Sequence, residues 1–171
     1  MDLMNKLEAW LADLYKGSPK LSEASKKSIV GVWPIVALIF GVLQLLAAWE
    51  LWHLGHQVNQ VANVVQSFGS YYGATTTHIH LNAFYWLSIA VVLLDGLMLV
   101  VAYPALKQHQ KSGWNLLFYA SLLNLVYGIF SALNGYGGFA SLLLQVLVSA
   151  VVLYFLFQIR SHYSSVKGHH K

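Results

Sequence analysis

The chain contains no cysteine. This excludes disulfides, thiolate metal sites, Fe–S clusters and redox relays built on cysteine pairs. Charge is nearly as scarce. Asp, Glu, Lys and Arg together make up 9% of the 171 residues, against roughly 25% in an ordinary soluble domain. A chain so poor in charge and 57% hydrophobic cannot cover itself with polar surface. Its excess apolar side chains are expected to face lipid. Also missing are a Gly-rich phosphate loop, an HExxH or GxSxG motif, and a soluble domain large enough for a catalytic centre. No nucleophile–base pair stands out within the apolar runs. The expectation is therefore a protein that is not an enzyme.

Four apolar runs dominate what is present: 29–54, 82–103, 114–133 and 139–159. Each is near the ~20 residues a helix needs to cross ~30 Å of hydrocarbon. In lipid only helices and closed barrels satisfy the backbone. Unbroken stretches such as Ile89–Leu94 lack the alternation of a barrel strand. The fold class predicted is all-α, an integral-membrane bundle of four transmembrane helices. Pro34 is placed near the start of the first helix and Pro104 at the end of the second. The residues 134–138 make a turn. Trp33, Trp49, Trp52, Trp86, Tyr103, Trp114 and Tyr154 near the helix ends are expected as interfacial anchors.

The ten Lys and Arg residues fall on alternate connections. Lys6, Lys16, Lys20, Lys26 and Lys27 precede the first run, Lys107 and Lys111 lie in 104–113, and Arg160, Lys167 and Lys171 follow the fourth. The 55–81 and 134–138 connections have none. Positive charge retained on the inner side puts both termini and the 104–113 loop in the cytoplasm, with the chain in the cytoplasmic membrane. The net charge of +4 and pI near 9.3 are then explained by lipid headgroups, not by nucleic acid.

Residues 1–28 lack the apolar core and cleavage pattern of a signal peptide. Leu3, Leu7, Trp10, Leu11 and Leu14 recur at helical spacing, with Asp2, Glu8 and Asp13 off the stripe. This predicts an amphipathic helix lying on the inner leaflet or packing on a cytoplasmic partner. In 55–81, Val58, Val61, Ala62 and Val65 form a second short stripe, read as a separate outer helix followed by a loop. The 160–171 tail is basic and is expected to meet anionic headgroups.

Within the runs, Asp95 is the most pointed residue. A carboxylate at such a depth costs roughly 2.5–3.5 kcal/mol on insertion scales, so it must face the bundle interior. Counted by depth, Ser121 and Ser149 share its level, Asn124 lies a turn further out, and Gln44, Tyr127 and Gln145 form a second layer. These residues suit either a proton- or cation-coupled path or hydrogen bonds that tie helices together. At the outer rim Glu50, His53, His56, His78 and His80 offer imidazole and carboxylate donors suited to Zn²⁺ or a similar divalent ion. A haem would need His53 and His80 together.

The four-helix plan with both ends inside is shared with small multidrug exporters, tetraspan scaffolds and thiol- or quinone-linked redox enzymes. The chain is longer than the exporters, has no carboxylate in the middle of its first run, and lacks every cysteine of the redox type. Plan alone does not transfer function. The role expected first is a scaffold, accessory subunit or modulator of a membrane assembly, with lipid, another membrane protein or a second copy as partners. The alternatives are a dimeric transporter using Asp95 and a metal- or haem-binding sensor.

Overall fold

The computed structural model describes residues 2–71, 83–133 and 138–163. Among these there are five α-helices and no strand: α1 Asp2–Leu14, α2 Glu23–Tyr71, α3 Ala83–Lys107, α4 Lys111–Leu133 and α5 Gly138–Ile159. Single 3₁₀ turns, Tyr15–Gly17 and Arg160–His162, follow α1 and α5. Helices α2 to α5 each contain a stretch long and apolar enough to cross a membrane. They pack in chain order, α2 on α3, α3 on α4, and α4 on α5, while α2 and α5 meet only briefly. Lys26, Lys107, Lys111 and Arg160 gather at one end of this array, here the cationic end. The buried core is concentrated there, around Leu106, Trp114, Phe118, Leu156 and Ile159.

The helices overrun the breakers that the sequence suggests. Ser22 caps α2: its Oγ accepts the Ser25 N–H at 3.1 Å, and Glu23 stands in the first turn, where a negative charge suits the helix dipole. Pro34 therefore lies well inside α2, not at its start. The expected outer helix is not separate, because α2 runs through Gly55 for 49 residues, roughly 74 Å at ~1.5 Å per residue. One glycine costs a helix about 1 kcal/mol. Leaving backbone groups unpaired beside apolar side chains costs more. Val58 and the buried Ala62 continue the helical register from Leu54.

Pro104 likewise does not stop α3, which continues to Lys107. The stop lies further on. Gln110 N donates to Ala105 O at 2.8 Å and His109 N to Leu106 O at 3.0 Å, a Schellman closure with His109 at φ 53°. The predicted 104–113 loop thus shrinks to 108–110. Gly113 permits so short a turn, since a Cβ there would lie 2.6 Å from Leu106 N and 2.9 Å from Ala105 C. Trp114 then falls inside α4 and is 1% exposed, a core residue and not an interfacial anchor. Its Nε1 donates to Leu156 O at 2.8 Å, one of the last four carbonyls of α5 that helix geometry leaves unpaired.

The N-terminal helix forms as expected, but it docks on the bundle. Leu11 is buried, with Leu7 packed beside it, while Leu3, Trp10 and Leu14 stay exposed. Glu8, expected on the solvated face, is 8% exposed. Its Oε1 pairs with Arg160 and lies 3.9 Å from Lys111 Nζ. The following segment is strapped to α5. Tyr154 Oη donates to Pro19 O at 2.7 Å, Gln158 Nε2 donates to the same oxygen at 3.1 Å, and Tyr15 Oη donates to Ala150 O at 3.0 Å.

Candidate functional site

Asp95 lies on α3, 2% exposed. Gln44 on α2 donates from Nε2 to Asp95 Oδ2 at 2.7 Å. Depth counting separated these two residues by a layer. It took the inner end of the second helix at Tyr103, whereas α3 runs on to Lys107 and so places Asp95 deeper, and a glutamine side chain spans most of a turn. Two glycines bring the helices close enough for this bond. A Cβ at Gly41 would stand 3.0 Å from Gly96 O, and a Cβ at Gly96 would stand 3.0 Å from Gly41 O and 3.1 Å from Gln44 Cβ. Small residues at a helix crossing give this approach, and Gly96 directly follows Asp95.

Asn124 lies close enough to Asp95 to influence its carboxyl. Its own Nδ2 nevertheless donates to Ala120 O at 3.1 Å. Among the described residues, Asp95 Oδ1 receives no hydrogen bond of good geometry, and Gln44 Oε1 likewise has none. Two buried acceptors thus remain open at one place. Each could accept a hydrogen bond from a donor or contact a cation.

The other polar residues singled out inside the apolar runs divide between tying helices together and bonding within their own helix. Tyr127 Oη donates to Ser88 Oγ at 2.6 Å, and Ser88 Oγ donates to Phe84 O at 2.7 Å, joining α4 to α3. Gln145 Nε2 donates to Asn124 O at 3.1 Å, joining α5 to α4. Gly128 makes room for that side chain, since a Cβ there would meet Gln145 Cγ at 2.3 Å. Tyr85 Oη donates to Leu51 O at 2.5 Å, a second tie between α3 and α2. Ser121 bonds within its own helix, to Leu117 O at 2.9 Å, and Ser149 is buried on α5. Sequence reasoning missed Ser88, Tyr85 and the three glycines. The glycines were visible as small residues set into apolar helices near an amide or carboxyl.

A cleft of about 330 Å³ reaches Gln44 from the side of the array. Trp33, Phe40, Leu99 and Val148 line it, with Gln44 and Ser121 its only strongly polar contributors. It is an apolar groove and does not touch Asp95 itself.

The rim predicted as a metal centre is only partly described. Residues 72–82, and with them His78 and His80, lie outside the described residues, as do the turn 134–137 and the tail 164–171. Glu50, His53 and His56 all lie on α2. The His53 ring lies edge-on to Trp49 at 4.5 Å, and His56 lies 4.7 Å from Trp52 and 5.5 Å from Trp86. His56 Nδ1 is 2.9 Å from Trp52 O. Among the described residues no three His, Asp or Glu side chains are grouped to hold an ion. What the described part assembles is an aromatic cluster, with Trp52 and Trp86 at 5.4 Å. No family model, curated protein or solved structure matches this chain.

Proposed function

We propose that the chain is a four-span protein of the cytoplasmic membrane, with both termini cytoplasmic, that serves as a non-enzymatic scaffold or accessory subunit of a membrane assembly. The membrane placement rests on four long apolar helices and on the large apolar side chains they leave uncovered. Ile39, Phe40, Leu43 and Leu46 on α2 and Leu144, Leu147 and Val151 on α5 are examples. Water would not tolerate that surface, whereas lipid or another membrane helix would. The orientation rests on the cations collected at one end. Thiol labelling tests it on a background free of cysteine. A cysteine replacing the exposed Val64 should react from outside intact cells, and one replacing Ser112 only after permeabilisation. The reverse pattern would overturn the orientation.

One observation carries the scaffold reading. Each consecutive pair of long helices is joined by a polar clasp: Gln44–Asp95, Tyr127–Ser88 and Gln145–Asn124. Of the polar groups that a transport path would use, Asp95, Gln44, Tyr127 and Gln145 are engaged in holding helices together. The α2 and α5 faces remain free for a partner.

A second reading, a dimeric proton- or cation-coupled transporter, is favoured by the open acceptors on Asp95 Oδ1 and Gln44 Oε1. One measurement separates the two. In liposomes loaded with a pH-sensitive dye and given a pH gradient, the scaffold reading expects no protein-dependent proton movement. It also expects Asp95→Asn to fold and assemble normally, since asparagine keeps an oxygen for Gln44. Coupled transport would give a flux that Asp95→Asn abolishes.

A further inference from the structure

At the cationic end, the strap between α1 and α2, the last turn of α5 and the start of α4 enclose a cleft of about 610 Å³. Lys16, Lys20, Lys26, Lys111 and Arg160 line it, and Tyr163 closes one side. These five cations come from four separate stretches of chain, so the fold gathers them and no sequence run does. Carboxylates offset part of the charge. Asp13 pairs with Lys16 at 3.1 Å, Glu23 with Lys26 at 2.7 Å, and Glu8 serves both Lys111 and Arg160. Three carboxylates against five cations leave a positive excess, and among the described residues Lys20 pairs with no carboxylate.

Tyr163 supplies an independent sign. It is 4% exposed, and among the described residues its hydroxyl has no hydrogen-bond partner. A buried O–H without an acceptor is costly. Burial pushes its pKa up to about 12, so it stays a donor at neutral pH. The cleft therefore presents surplus ammonium groups, and a residue of its wall holds a buried O–H donor without an acceptor; a phosphate oxygen is the acceptor chemistry suited to both.

We propose that this cleft binds a phosphate-bearing anion, either the headgroup of an acidic phospholipid or a soluble phosphate ester. The exposed Leu3, Trp10 and Leu14 on α1 would hold the cleft at headgroup level in the proposed membrane setting. The lipid arm rests on that setting, whereas the soluble arm does not. Phe157 lies among the lining residues and gives an apolar surface against which an ester's organic part can rest.

The test uses the full chain in nanodiscs. One arm measures lipid retained in native mass spectrometry from discs of equal parts phosphatidylcholine and phosphatidic acid. The other measures thermal stabilisation by inorganic pyrophosphate in phosphatidylcholine discs. Preference for phosphatidic acid alone assigns a headgroup site, and stabilisation by pyrophosphate alone assigns a soluble ligand. Either result, or both, supports the proposal. The Lys16→Gln, Lys20→Gln double variant should weaken whichever response is seen by on the order of 25-fold, about fivefold per lysine. Tyr163→Phe should weaken it several-fold while leaving the ligand-free melting temperature unchanged or higher, because an unpaired buried hydroxyl is removed. Failure of both ligands, or variants that respond like the parent chain, would overturn the proposal. Because labelling at Val64 and Ser112 reads topology separately, loss of this site and loss of the membrane reading are distinguishable.

Discussion

Replacing Gly96 by leucine should lower the melting temperature of the purified protein by about 6–12 °C. The estimate takes a cost near 3 kcal/mol and ~2–4 °C per kcal/mol for a chain of this size. The cost has two sources. A Cβ at this position would meet Gly41 O at 3.0 Å, Gln44 Cβ at 3.1 Å and Leu45 Cδ2 at 3.1 Å. The first of these is backbone and can yield only if α2 and α3 separate. Overpacking of this kind costs ~1–3 kcal/mol. Separation also lengthens the 2.7 Å bond between Gln44 and Asp95. A buried carboxyl deprived of its one well-formed hydrogen bond adds ~1–3 kcal/mol. Leu97→Ala, at an exposed neighbouring position, is the control and should change little. A Gly96→Leu protein that melts with the parent would show that the crossing is not tightly packed.

How far the sequence revealed this architecture depends on the range of the forces involved. The four apolar helices were legible because an uncovered apolar surface is a property of composition and period, summed over ~20 residues. The N-terminal helix was legible for the same reason. What was not legible required partners distant in the chain. The stripe pattern put Glu8 toward water, and only its pairing with Arg160 and Lys111 explains its burial. Gln44 and Asp95 were both singled out, yet they were assigned to different layers. Ending the second helix at Tyr103 and not at Lys107 made the depth count of Asp95 four residues too shallow. Pro34, Gly55 and Pro104 were read as punctuation by rules formed on helices in water. In a long apolar helix, ending the hydrogen-bond ladder costs more than tolerating the breaker. Trp114 was read as an anchor because it opens an apolar run. It is buried because the α3–α4 turn is four residues shorter at its start and three shorter at its end than the polar stretch suggested.

The same pairing leads to the second large effect. Glu8→Lys should release α1 from the bundle. Deleting one partner of a buried ion pair costs ~3–5 kcal/mol when both charges are enclosed. Here the side chains of Lys111 and Arg160 are 39% and 42% exposed, so screening reduces the figure to about 1–2 kcal/mol. A lysine at this position would add repulsion among three cations. Against this, burial of Leu11 supplies only ~1.5–3 kcal/mol of docking energy, and the strap through Tyr15, Tyr154 and Gln158 holds the residues after α1 rather than α1 itself. The balance therefore turns unfavourable for α1 while the four long helices stay packed. Hydrogen exchange should register this as at least tenfold faster exchange across residues 3–14, with protection of the α3 and α4 amides near Leu106 and Phe118 retained. Glu8→Gln, which preserves shape and one acceptor oxygen, should fall between the two. Unchanged exchange in the Glu8→Lys protein would mean that apolar packing alone holds α1. Global loss of protection would mean that α1 is integral to the bundle's stability and not a docked element.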